Sequence, residues 1–151
     1  MGSTFGVGRE APDFTLISSD GEAISLRDYR GDWFPILSFF DCVDRDAASR
    51  LAGLSAMADR LWGLRGQPLG IGAGESHEVA AVGESAGGVA FPLLVDTCGQ
   101  VARLYAAWDA VRGMVDPLTV IVDRAGKIVW EGRGPDASAE ATLVAFRDVV
   151  R

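Results

Sequence analysis

Short apolar runs alternate with stretches of three- and four-residue periodicity along this chain, and that alternation predicts its elements. Pro35 to Phe40, Leu69 to Ala73, Phe91 to Val95 and Leu118 to Val122 are nearly uninterrupted apolar segments of strand length, as strands buried on both faces must be. Leu51, Leu54, Ala58, Leu61 and Trp62 recur at helical spacing, as do Val101, Leu104, Tyr105 and Trp108, which predicts two amphipathic helices packed on a sheet. The second should run from Gly99 to Trp108, capped by Asp96 or Thr97, with Cys98 in its first turn. Glu78 to Gly88 is rich in alanine but broken by Gly83, Gly87 and Gly88, so its helix should be short. Asp123-Arg124-Ala125-Gly126 is a turn signal joining Leu118 to Val122 with Lys127 to Glu131 as an antiparallel hairpin. Ser138 to Val150 closes the chain as a helix with Leu143, Phe146, Val149 and Val150 facing inward. The pattern is that of an α/β domain with a central, mostly parallel sheet, a C-terminal antiparallel hairpin and flanking helices. No repeat or linker divides residues 1–151, so a single domain is expected.

In such a sheet, ligands collect beyond the carboxyl ends of the strands. Three loops lie there: Asp41 to Asp46, Gly74-Glu75-Ser76-His77, and Asp96-Thr97-Cys98. A protein or small-molecule ligand is expected at that end.

Composition narrows the partners. With 14 Lys plus Arg against 21 Asp plus Glu the net charge is -7, and Arg45, Arg50 and Arg60 are interleaved with acids, so no nucleic-acid surface is expected. No run approaches the ~20 apolar residues of a membrane helix. The N-terminus lacks a secretion signal, so a cytoplasmic protein is expected. Met1 to Gly6 begins like a myristoylation signal but puts Gly6 where Ser or Thr is wanted, so lipidation is not expected. The two cysteines, Cys42 and Cys98, form no C-x-x-C pair, against a disulfide scaffold or a zinc knuckle.

Three separated motifs, in order, carry a family resemblance. Gly8-Arg9-Glu10-Ala11-Pro12-Asp13-Phe14-Thr15-Leu16 leads to Asp20-Gly21 and Ile24-Ser25-Leu26-Arg27-Asp28-Tyr29-Arg30-Gly31. Phe91 to Asp96 precedes Val101-Ala102-Arg103-Leu104-Tyr105, and Thr119 to Asp123 precedes Gly126-Lys127-Ile128. The chain resembles the peroxiredoxins (alkyl hydroperoxide reductase and thiol-specific antioxidant proteins), which implies a thioredoxin-like fold, thiol peroxidase chemistry and a homodimer.

That family carries P-x-x-x-T-x-x-C after the strand corresponding to Leu37 to Phe40. By resemblance the proline position falls on Cys42, the threonine position on Asp46 and the peroxidatic cysteine position on Ser49. The family's active-site arginine falls on Pro117, which looks like the cis-proline loop of thioredoxins. A serine hydroxyl is not appreciably ionised near neutral pH and has no sulfenate state, so Ser49 cannot replace the thiolate. Asp46 reads as an N-cap whose carboxylate accepts the Ser49 N–H, in preference to a catalytic carboxylate. Cys42 is the remaining candidate nucleophile. Asp41, Asp44 and Asp46 crowd it towards the neutral thiol while Arg45 and the helix N-terminus pull the other way, and the inert reading is preferred. With Leu69 to Ala73 between the strands of Cys42 and Cys98, two strand spacings of roughly 9.5 Å exceed the ~7 Å an unstrained bridge spans, so a disulfide would need loop movement.

Other motifs carry less. Gly83-Glu84-Ser85-Ala86-Gly87 matches a nucleophile elbow but follows a helical stretch and has no later histidine. Gly70-Ile71-Gly72-Ala73-Gly74 lies within a strand with Glu75 at the third glycine position of a dinucleotide loop, and no phosphate loop exists, so no cofactor is expected. His77, the single histidine, reads as a surface residue. A mixed metal site with Glu75, Asp44, Asp46 or Cys42 lacks any adjacent ligand pair, and no metal is expected. Trp33, Trp62, Trp108 and Trp130 read as core or edge aromatics, with Trp33-Phe34 alternatively at an interface. Three functions stay open: a non-peroxidase binding, regulatory or assembly module, which is preferred; an oxidoreductase using Cys42 with Cys98 or an external thiol; and ligand or metal binding through His77, Glu75 and the aspartates.

Overall fold

Successive side chains of the strand Phe34–Asp41 enter two different apolar layers, because strand residues alternate faces. Leu37 and Phe39 join Leu69, Ile71, Tyr105, Leu118 and Val120 on one side; Ile36 and Phe40 join Leu51, Leu61, Leu143 and Phe146 on the other. The computed structural model describes residues 6–151, so the lipidation pattern at the N-terminus lies, but for Gly6, outside the described residues.

In chain order the strands are β1 (Thr15–Ser18), β2 (Ala23–Ser25), β3 (Phe34–Asp41), β4 (Gly66–Ala73), β5 (Leu93–Val95), β6 (Trp108–Asp109), β7 (Met114–Val115), β8 (Leu118–Val122) and β9 (Ile128–Arg133). The helices are α1 (Ala47–Ala56), α2 (Ala58–Gly63), α3 (Ser76–Ser85), α4 (Gln100–Leu104) and α5 (Ala139–Val149). Seven strands form one sheet in the order β2-β1-β5-β4-β3-β8-β9. Its centre is the parallel set β5-β4-β3, with Phe34↔Gly66 through Asp41↔Ala73 in register. The β8–β9 hairpin pairs antiparallel with β3, turning at Asp123, whose Oδ1 accepts the N–H groups of Ala125 and Lys127. Helices α1, α2, α3 and α5 cover the Phe40 layer; α4 and the β6–β7 pair cover the Phe39 layer. Phe34 packs edge-on against Phe146, which makes it a core aromatic.

The predicted strands are all present. The hairpin β1–β2 adds a margin that periodicity did not reveal, because its strands are short and Ile17 is half exposed. Helix α3 begins earlier than expected, at Ser76, under a capping box in which Glu78 Oε1 accepts the Glu75 N–H at 2.8 Å. The expected single helix through Trp62 breaks at Met57 into α1 and α2. The expected helix to Trp108 stops at Leu104. The Ala107 N–H reaches Ala102 O at 2.8 Å and the Ala106 N–H reaches Arg103 O at 3.1 Å, a Schellman end with Ala106 at φ 59°. Glycine is the usual marker of that end, so an alanine there gives no warning. Trp108 opens the β6–β7 pair instead, under the Arg103 guanidinium at 4.3 Å.

The glycine alternation in β4 has a packing cause. A methyl on Gly72 would lie 2.6 Å from Phe40 Cζ, and one on Gly70 2.6 Å from Leu93 Cδ2, so the strand is pared to backbone where the Phe40 ring rests. Gly72→Ala is expected to destabilise the fold by about 1–3 kcal/mol. The check is a lower urea midpoint at unchanged slope; an unchanged midpoint would show that the ring shifts aside freely.

Candidate functional site

Asp41, the last residue of β3, organises the loop beyond it. Its Oδ1 accepts the Val43 N–H at 3.1 Å and its Oδ2 accepts the buried Val115 N–H at 3.0 Å, tying β3 to β7. The Cys42 N–H continues the sheet to Ala73 O at 3.2 Å. Asp44 then fixes the approach to α1: Oδ1 accepts the Asp46 N–H at 2.9 Å, and Oδ2 pairs with Arg50 Nη2 at 2.8 Å. Burial works against the charge on Asp44, but the Arg50 and Asp46 hydrogen bonds and the charges of Arg50 and Arg112 hold its carboxyl below the usual carboxylate range.

Asp46 occupies the cap position of α1, yet its side chain accepts no capping bond, and the expected contact with the Ser49 N–H is not formed. Its φ and ψ of -92° and -3° are helix-like, whereas a capping side chain needs an extended backbone to swing over the first turn. Asp44 orders the loop instead.

Cys42 is half buried and packs with the Phe40 layer. A methyl on Gly74 would lie 2.7 Å from Cys42 Sγ and 3.1 Å from Glu78 Oε1, so sulfur and carboxylate both crowd Gly74. Burial pushes the Cys42 thiol up to about 12, with the Glu78 and then the Asp41 carboxylate adding to it. The expected crowding by acids is therefore real but comes from Glu78 and Asp41; Asp44 is committed to Arg50. Glu78 was overlooked in the sequence, although Glu75-Ser76-His77-Glu78 has the spacing of a capping box. An open cleft of about 310 Å³ lies between α1 and α3, lined by Cys42, Arg45, Ala48, Glu78, Val82 and Ser85, together with Ala81.

The first turn of α1 is Ala47, Ala48 and Ser49. Ala47 is buried, Ala48 lines the cleft, and Ser49 is turned to solvent. Ser49 thus stands on the helix where the resemblance placed it, but the residue of that turn facing Cys42's cleft is Ala48. Pro117 lies just before β8, one strand from Cys42. No cis peptide bond occurs among the described residues, so the cis-proline expectation is corrected. The chain enters β8 without a tight turn, its Asp116 N–H bonded to Ala107 O and the Pro117 carbonyl accepting the Gly134 N–H, and nothing there demands the costlier isomer.

Cys98 is exposed with φ 67°, in a tight turn over Thr97–Gly99 that precedes α4. It is therefore outside the helix, not in its first turn. The cap position of α4 is Gly99, not Asp96 or Thr97, but Asp96 satisfies the helix start from three residues before it, its two oxygens accepting the Val101 and Ala102 N–H groups at 3.0 Å each. Both cysteines are free thiols. Cys42 belongs to the Phe40 layer, whereas the turn of Cys98 approaches Trp108 and Ala73 of the other layer through Gly99. His77 is exposed in the first turn of α3. Among the described residues no three His, Cys, Asp or Glu side chains gather as metal ligands.

The architecture is similar to that of peroxidoxin BcpB from Mycobacterium tuberculosis, with a TM-score of 0.84 at 21% identity over 95% of this chain and 97% of that one. AhpC from Enterococcus faecalis matches with a TM-score of 0.83 at 19% identity, over 95% and 92%. These likenesses show the thioredoxin fold. Residues 7–131 match the AhpC/TSA family model. Alkyl hydroperoxide reductase E of Mycobacterium tuberculosis is 30% identical over 129 residues, 81% of each chain. The chain belongs to the AhpC/TSA family.

Proposed function

We propose that this AhpC/TSA-family protein is not a thiol peroxidase and that it uses the fold as a binding, regulatory or assembly module, with the α1–α3 cleft as its docking point. One observation carries the reading: the first turn of α1 offers Ala47, Ala48 and Ser49, while the neighbouring Cys42 is held as a neutral thiol, pushed up to about 12. Peroxide reduction begins with thiolate attack on the O–O bond, leaving the sulfur as sulfenate and the distal oxygen as leaving group. At neutral pH Cys42 has almost no thiolate to offer, and the carboxylates of Glu78 and Asp41 oppose its formation. Two free thiols suit a reducing, cytoplasmic setting. A homodimer is part of the proposal on family grounds and is read by light scattering.

The experiment follows hydrogen peroxide consumption with a dithiol donor. The rate should equal that of the donor with free cysteine and stay the same in C42A. Turnover well above that level and lost in C42A would overturn the reading. The second reading, Cys42 as a redox centre, is favoured by one feature: its residue lines an open cleft that Arg45 also lines. Selective sulfenylation of Cys42 under mild peroxide, seen by mass spectrometry, would establish it.

A further inference from the structure

A larger groove, about 680 Å³, runs between β9 and α5, away from the cleft of Cys42. Its floor is apolar: Val129 and Trp130 from β9, and Ala141, Ala145 and Val149 from α5. The three α5 residues are spaced by four, so they form one row along the helix. The neighbouring row, one residue back, is Glu140, Val144 and Asp148, with Asp136 continuing the same spacing before the helix begins. All four are exposed, and Val144 is 62% exposed although it is aliphatic. Glu131 also borders the groove, but its carboxylate is buried and turned to the Gly6 N–H at 3.1 Å, so it adds nothing to the rim.

The surface is thus an apolar trough with a carboxylate edge. We infer that it docks an amphipathic helical segment of another protein, with Leu-like residues on the trough and Lys or Arg beside them. Charge complementarity selects this occupant. Among the described residues Asp136 and Glu140 form no ion pair, and Asp148 meets only Arg151 at 3.7 Å, an exposed pair that contributes little. A second copy of this chain fits poorly, because a twofold contact through the groove sets Asp136, Glu140 and Asp148 towards their own counterparts. The inference does not depend on whether Cys42 is redox-active.

The test titrates the full chain with two synthetic peptides of the same Leu and Lys composition, one spaced for an amphipathic helix and one scrambled, by calorimetry and by NMR of the Trp130 indole. The helical peptide should bind at least about tenfold more tightly than the scrambled one, the difference expected where apolar spacing adds about 1.4 kcal/mol. Its affinity should fall about tenfold or more in Val144→Asp and in the pair Asp136→Lys with Glu140→Lys, and should weaken with salt. Equal binding of the two peptides, unchanged affinity in either variant, shifts confined to the cleft of Cys42, or self-association abolished by Val144→Asp would each overturn it. All three altered positions are exposed, so circular dichroism should match the parent, with the urea midpoint lowered only slightly where Lys replaces Glu140 in the first turn of α5.

Discussion

Native Cys42 should be alkylated by iodoacetamide at pH 8 about a hundredfold more slowly than the same residue in the urea-unfolded chain. The thiol rises from an ordinary 9.0 to about 12, so the thiolate fraction falls by roughly a thousandfold, one decade per pH unit. A more basic thiolate is intrinsically more nucleophilic, which returns part of that factor. The pH profile carries the sign. In the fold the rate should climb through pH 9 towards about 12, whereas in the unfolded chain it levels near 9. Linkage runs the same way: the native state keeps this proton after the unfolded chain has released it. The resulting stability is complete below pH 9 and is lost as pH rises towards 12. Peptide mapping separates Cys42 from the exposed Cys98. A plateau below pH 8 would mean that a cation such as Arg45 governs the sulfur, and the redox-centre reading would replace the one proposed.

Asp41→Ala should cost about 3 kcal/mol, measured by urea unfolding. The substitution removes acceptors from two backbone donors, Val43 and Val115, and the second is only 1% exposed. An orphaned buried N–H costs about 1–3 kcal/mol, and bonds to a charged acceptor lie at the upper end. Asp41→Asn keeps one carbonyl acceptor and should lose about half as much. The effect extends to the site, because Asp41 is both the tie to β7 and a contributor to the raised Cys42 thiol. A loss below about 0.5 kcal/mol would show that the β6–β7 pair holds its place without this carboxylate.

Much of the fold was legible from local pattern. Strands β3, β4 and β8 are buried on both faces, so they had to be mostly apolar, with few polar residues such as Ser38 and Thr119 among them, and such runs stand out in any window. The Asp123 turn and the start of the last helix were equally legible, because a turn and a helix start act within a few residues: Asp123 accepts the Ala125 and Lys127 N–H groups, and Ser138, expected as the first helical residue, is the cap whose Oγ accepts the Ala141 N–H. The end of α4 was not, since Ala106 takes a left-handed conformation that its type does not advertise. Leu104 then falls 57% exposed despite its helical spacing, and Trp108 leaves the helix altogether.

The absence of any cysteine from α1 is a property of the chain that no folding can alter, and it was readable at once. The surroundings of Cys42 were not. Glu78 lies on α3, far from Cys42 in sequence, and its carboxylate and the Cys42 sulfur both border the space that a side chain at Gly74 would fill. Asp44, not Asp46, orders the start of α1, because a ψ of -3° gives Asp46 a helix-like backbone in place of the extended one a capping side chain needs. Ala48 rather than Ser49 faces the cleft, a difference of one step around a helix. Local periodicity records which side chains must leave water; it holds no information on which distant carboxylate will share that burial, and here Glu78 adds to the burial that keeps the Cys42 thiol neutral.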